Sequence, residues 1–233
     1  MSEWAKKRFW KTAIVKEQKN GFGVLLDGCS IKTPSRATLI VPTKNLAEMI
    51  AAEWQAQGDI IDPLSMPFTR TSNAALDKVS HQMSEVRDHI AEYGETDLLC
   101  YRVSSPRELA KRQTAAWDPL LIWAKNTFDA PLNVTQGVMF IEQPEKSLAN
   151  LKSQIKNFNP FELSGIYNLV TLSGSLVAAL AVKQGHKTAS EIWDLCRVDN
   201  IWQEEQWGVD EEAQKIESFK RSEFLLANAY LQL

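Results

Sequence analysis

The chain has 233 residues, 26 of them Lys or Arg and 29 Asp or Glu, for a formal net charge of −3. With 44% hydrophobic and 24% charged residues it carries enough apolar surface to offset ordering entropy, which excludes wholesale disorder. The mildly acidic balance excludes a protein built mainly to grip nucleic acid, and eight Trp against four Tyr is the one compositional oddity.

Met1 to Lys11 has no apolar segment of a secretory signal and is too short and too poor in Ser for a transit peptide. Residues 12–42 read as β structure. Thr12 to Val15, Gly21 to Leu26 and Thr38 to Val41 are strand candidates, with Asn20-Gly21 and Asp27-Gly28 as hairpin turns. Pro34 and Pro42 belong at strand ends or edges.

From Thr43 the period becomes helical. Leu46, Met49, Ile50 and Trp54 make an apolar stripe that predicts Trp54 in the core, and Gly58 is placed to cap the helix. Asp62-Pro63 to Met66-Pro67 predicts an extended connector. Leu76, Val79, Met83, Val86, Ile90 and Tyr93 predict one continuous helix closed by Gly94. A helix opened by Pro106 carries Leu109, Gln113, Ala116 and Trp117, and Asp118-Pro119 is expected to cap and restart it. Another carries Leu148, Leu151, Ile155 and Phe158.

The most apolar stretch, about Phe161 to Lys183, includes Asn168, Thr171, Ser173, Gly174 and Ser175. It is short for a membrane span and reads as a buried helix. Thr188 and Glu191 fit a capping box for a helix bearing Ile192, Trp193, Leu195 and Trp202. Trp207-Gly208 breaks that helix, and Asp210 is placed to cap the last, with Ala213, Ile216, Phe219, Leu226 and Tyr230. The class is α+β: a small β-rich N-terminal domain over residues 1–65, then a larger all-helical domain over 66–233.

Signals for catalysis are sparse. Cys29, Cys100 and Cys196 are widely spaced, which fits a reducing compartment and no Cys-based zinc site. His81 and His89, eight apart on one predicted helix, do not make a metal pair. There is no phosphate loop, Gly21-Phe22-Gly23 lacks a third glycine, and Ser173-Gly174-Ser175 falls within a helix. Neither a cofactor nor a metal is expected.

Charge is more informative. The first twenty residues are rich in Lys and Arg. Residues 199–212 hold Asp199, Glu204, Glu205, Asp210, Glu211 and Glu212 without one Lys or Arg. Such a stretch either steers a basic partner or forms a solvated face with ordinary first-turn acids.

Several segments in order resemble one family. They are Arg8-Phe9-Trp10-Lys11, Gly21 to Gly28 with Lys32-Thr33-Pro34, Val41-Pro42-Thr43, Leu46-Ala47 with Ala52-Glu53-Trp54, and Ile61-Asp62-Pro63 with Met66 to Arg70. Tyr93, Thr96 to Arg102, Gln113, Trp117 to Leu121, Gln203, Trp207 to Asp210 and Glu212-Ala213 follow. The set resembles the Atp-twelve family of assembly chaperones for the F-type ATP synthase.

The resemblance implies an α+β N-terminal domain and an orthogonal helical bundle. It implies a non-enzymatic binder of the free α subunit of the catalytic head, from α-proteobacteria or mitochondria. Cys29-Ser30 stands where the family usually has Arg-Pro, and Asn200 where an acid often follows Asp199. The residues expected to contact the partner are Asp199, Gln203, Glu204, Glu205, Trp207 and Asp210, with Trp117, Arg70, Tyr93 and Asp97. A bacterial cytoplasm is the expected setting, or a mitochondrial matrix for a processed form. The competing readings are a small enzyme with a pocket between domains, using Asp62, Arg70, Tyr93 or Asp97, and a peripheral membrane protein anchored by its basic, Trp-bearing N-terminus.

Overall fold

The computed structural model describes residues 7–233. Glu3 and Lys6, part of the basic N-terminal end, lie outside them. The chain divides into two compact units. Unit 1 runs up to Met83 and includes Asn159–Ser164 and Gln232–Leu233. Unit 2 comprises Ser84–Phe158 and Gly165–Leu231.

Unit 1 begins as an antiparallel sheet. β1 (Ala13–Gln18) pairs along its length with β2 (Gly21–Leu26), which also pairs with β3 (Cys29–Ser30) and β4 (Ile40–Val41). The buried end of β2, Gly23 to Leu26, packs on α1 (Lys44–Gln55), whose Leu46, Ala47, Ile50 and Ala51 are buried. Thr43 caps α1 through Leu46 N.

The Asp27-Gly28 turn has positive φ at both central residues, as predicted. The first hairpin does not turn at Asn20-Gly21. Gln18 pairs with Gly21, so the loop is Lys19-Asn20. Gly21 instead sits where a Cβ would lie 2.2 Å from Val41 O, so only glycine lets β4 approach. Trp54 is half-buried, its ring 5.2 Å from that of the buried Trp10.

The segment from Asp62 to Pro67 is a 3₁₀ turn over Pro63–Ser65, capped by Asp62, and not an extended connector. It delivers α2 (Pro67–Asp77), which has no side-chain cap of its own. Glu53 of α1 supplies one from a distance, accepting from Phe68 N at 2.6 Å, Thr69 N at 2.8 Å and Thr69 Oγ1 at 2.7 Å.

The helix predicted from Leu76 through Tyr93 is interrupted. α2 ends at Asp77, a 3₁₀ turn covers Val79–His81, and α3 is Met83–Glu92. The Ser80 hydroxyl donates to Leu76 O, the competition with the helix ladder that Ser readily offers. His81 and His89 therefore lie on different elements.

Unit 2 is helical apart from a short parallel pair, β5 (Tyr101–Arg102) with β6 (Thr135–Gln136). Between them α4 (Arg107–Phe128) runs unbroken through Pro119. The predicted restart there is absent. Gln113, Trp117, Leu120, Leu121 and Ala124 form one buried stripe across that point, while Pro119 itself is exposed, so the lost backbone bond falls on the solvent side.

α5 (Glu145–Ser153) follows. The apolar helix expected from Phe161 to Lys183 is two helices, α6 (Pro160–Ser173) and α7 (Leu176–Lys183). They part at Gly174, φ +72°, after which Ser175 caps α7 through Ala178 N. The helix predicted after Thr188 is likewise two, α8 (Ala189–Cys196), with its capping box formed, and α9 (Val198–Trp207). α10 (Glu211–Leu231) closes the chain, Phe224 meeting Trp193 of α8. No helix among the described residues is long and apolar enough to cross a membrane.

Candidate partner-binding surface

α9 has no buried residue, yet it is held firmly along one side. Asp199, Trp202 and Glu205 recur every three residues and meet α4. Asp199 accepts from Gln113 Nε2 at 2.8 Å. Glu205 pairs with Arg112 at 2.7 Å, and the same guanidinium lies 4.8 Å from the Trp202 ring centre. Just ahead of the helix, Arg197 pairs with Glu217 of α10 and stacks on Trp193.

The other stripe of α9, Ile201, Glu204 and Trp207, is exposed. Gly208 then closes the helix through its N–H to Glu204 O, and Asp210 caps α10 by accepting from Glu212 N and Ala213 N. Trp207 is 78% exposed, and Val209, Ile216 and Phe219 are each more than half exposed. Residues 201–219 thus expose large apolar groups together with Glu204, Glu211 and Glu212. Of the acids between 199 and 212, Asp199, Glu205 and Asp210 are spent on holding the corner together. The others, Glu204, Glu211 and Glu212, are exposed.

A family model described as ATP12 chaperone protein matches residues 7–125. Atp12 from Paracoccus denitrificans is 38% identical over 99% of both chains and superposes with a TM-score of 0.93. The chain belongs to the ATP12 chaperone family. A mutant of the Paracoccus protein superposes with a TM-score of 0.94 at the same identity and coverage. Protein atp12, mitochondrial, from Schizosaccharomyces pombe is 24% identical over 97% of this chain and 81% of its own length.

Within this ATP12 chain Gln203 shares α9 with that surface, and the remaining expected contact residues fall elsewhere. Gln203 is exposed on α9. Trp117 is 1% exposed and donates its indole N–H to Leu195 O at 2.7 Å, under the Arg102 guanidinium at 4.7 Å. It positions the segment that leads into α9 and offers no surface. Arg70, half-buried on α2 in unit 1, lends its charge to Glu53. Burial pushes the Glu53 carboxyl up, and the bonds from Thr69 and Phe68 and the Arg70 charge oppose that shift. Tyr93 is half-buried edge-on to His89, at 5.9 Å.

Asp97 is fully buried. Its carboxylate accepts from Leu99 N at 3.0 Å and from Val177 N at 3.1 Å, so it plugs the break between α6 and α7. Burial raises its pKa to about 6, against hydrogen bonds from Ser175, Val177, Leu99 and Leu176 that lower it. Asp97 and Trp117 shape unit 2 from within. Among the described residues no group of three or more His, Cys, Asp or Glu is arranged to hold a metal ion.

Sequence reasoning passed over Arg112 as a partner of the acidic stretch and left Gln113 as a helix-face residue. Gln113 is 1% exposed and bonds Val103 N through Oε1 as well as Asp199. The usable signal was the spacing of three through Asp199, Trp202 and Glu205, which separates the bonded stripe of α9 from the open one.

Proposed function

We propose that the corner formed by α9 and α10 is the surface with which this chain holds the free α subunit of an F-type ATP synthase head. The chain is a non-enzymatic ATP12 chaperone, an assembly factor for that subunit. An α subunit awaiting its ring neighbours exposes apolar interface that associates wrongly if left bare. A binder that covers it lowers the concentration of the sticky form by mass action. It must also let go when β arrives, which suits a small apolar centre with a polar rim better than an obligate interface.

One observation carries this reading. Trp207 stands exposed on α9 beside Glu204, on the stripe opposite the bonded Asp199, Trp202 and Glu205, while Ile216 and Phe219 are exposed on α10, and Glu204, Glu211 and Glu212 show no ion pair among the described residues. Trp207 is the anchor and Glu204, Glu211 and Glu212 set the approach. The greater identity to the Paracoccus protein than to the fission-yeast one supports a bacterial cytoplasm as the setting.

The clean test avoids Glu205, because reversing its charge also breaks the Arg112 pair and loosens α9. Glu204→Lys and Trp207→Ser alter only the open stripe. With purified α subunit, Trp207→Ser is expected to weaken binding by about tenfold or more, the scale of a central aromatic anchor. Glu204→Lys should slow capture, and both variants should melt as the wild type does. Wild-type affinity in both, with the fold intact, would remove the corner from the binding surface.

A further inference from the structure

We propose that the loop between α4 and α5 is a second arm of the same surface, its tip Val138-Met139-Phe140 seating in an apolar, basic-rimmed part of the α subunit. This rests on the reading that the chain holds α at the α9–α10 corner.

The tip is exposed to an unusual degree: Val138 93%, Met139 77% and Phe140 64%. Three consecutive large apolar residues in water mark an interaction site when something fixes them there. Something does. At the base of the loop the 4%-exposed Gln143 accepts from Asn133 N at 2.7 Å and donates to Asn133 O at 3.0 Å, while Asn133 Nδ2 donates to Glu142 O. Ser147 Oγ donates to Pro131 O, and β6 pairs with β5. The tip is therefore presented on a clasped stalk, which reduces the ordering cost of docking.

Its place in unit 2 ties it to the corner. Gly137, next to the tip, donates its N–H to Arg102 O at 2.8 Å. The Arg102 guanidinium donates to Gln113 O at 2.9 Å, and Gln113 Nε2 reaches Asp199 at the start of α9. Two buried bridging residues, Arg102 and Gln113, thus connect the base of the loop to the start of α9.

The loop shares with residues 199–212 the absence of Lys and Arg, though it carries far fewer acids. Residues 130–144 contain no Lys or Arg, and Lys146 is taken by Asp129 at 2.6 Å, which leaves Glu142 and Glu145 as the local charge. An acidic collar is repelled by an anionic lipid surface and matches a basic protein rim. One client with apolar patches and basic surroundings fits the tip and the corner together. Two modest contacts held on one rigid unit reinforce each other and can still be released stepwise.

The experiment replaces the tip with Val138→Ser, Met139→Ser and Phe140→Ser together, and runs Trp207→Ser beside it. All four sites are exposed, so circular dichroism and melting should match wild type. The tip variant is expected to bind purified α about tenfold or more weakly. A photo-crosslinking residue at Met139 should link to α, a readout that does not depend on the serine variant folding. Wild-type affinity in the tip variant while Trp207→Ser weakens binding overturns the second arm and leaves the chaperone reading standing. So does a crosslink only to a second copy of the chain, or loop-dependent binding to phosphatidylglycerol vesicles with α binding unchanged. A wild-type chain that ignores α overturns the chaperone reading and the loop with it.

Discussion

A single buried carboxylate ties two distant segments of unit 2 together. Asp97 holds the N–H of Val177, eighty residues on, and its environment contains Cys100, Arg102 and Cys196. Its folded pKa of about 6 lies above the ordinary 3.8. Below the ordinary value both folded and unfolded chains carry the proton, and the contribution to stability is complete. As pH rises to about 6 the unfolded chain releases its proton first, so stability falls by an amount on the order of 3 kcal/mol and then levels off. Urea unfolding followed between pH 4 and 7 should show that decline, and Asp97→Asn should lack it. A wild-type profile that rises over this range would mean the backbone donors outweigh burial. The neighbouring thiols give a second prediction. Burial pushes Cys100 and Cys196 up to about 12, whereas Cys29 is exposed. A thiol reagent should modify one cysteine rapidly in the native protein and all three only on unfolding.

Among the elements, breaks inside apolar stretches decide the architecture. Gly174 takes φ +72°, and a Cβ there would meet only Leu98 Cβ at 3.8 Å, ordinary contact. Gly174→Ala should therefore cost only the left-handed backbone strain, about 1–2 kcal/mol in thermal or urea unfolding. Gly21→Ala should cost more, because its Cβ would collide with Val41 O and part β4 from β2. A milder loss at Gly21 than at Gly174 would contradict the close approach of the strands. The same breaks explain what the sequence could reveal. The early sheet, the capping box at Thr188 and Glu191 and the Asp210 cap were legible because each depends on neighbours in sequence. The split at Gly174 was not, since the donors it frees are satisfied by Asp97, which hydropathy cannot bring near. Pro119 misled for the opposite reason: local chemistry ends a helix there, and a buried stripe on the far side carries it through. At the candidate surface the acids and Trp207 were visible, but their division into bonded and open stripes needed Arg112 and Gln113, which lie on another helix.

For the molecule as a whole, the small net charge conceals an uneven distribution. Residues 199–212 hold six acids without a single Lys or Arg, and the loop at 130–144, whose one charged residue is Glu142, also lacks a cation. Exposed charges of one sign raise the local concentration of an oppositely charged partner, and salt weakens this over about 8 Å at physiological ionic strength. On the proposed reading, Trp207 is an apolar anchor that acts after contact and sets how long the complex lasts. Stopped-flow capture of α should therefore slow as salt is added, with dissociation changing little. Combining Glu204→Lys, Glu211→Lys and Glu212→Lys should slow capture at low salt and flatten its salt dependence. Trp207→Ser should leave that dependence as it is and hasten release. Equal salt dependence in the charge-reversed and wild-type chains would separate the acids from recognition and leave capture of α to the apolar groups alone.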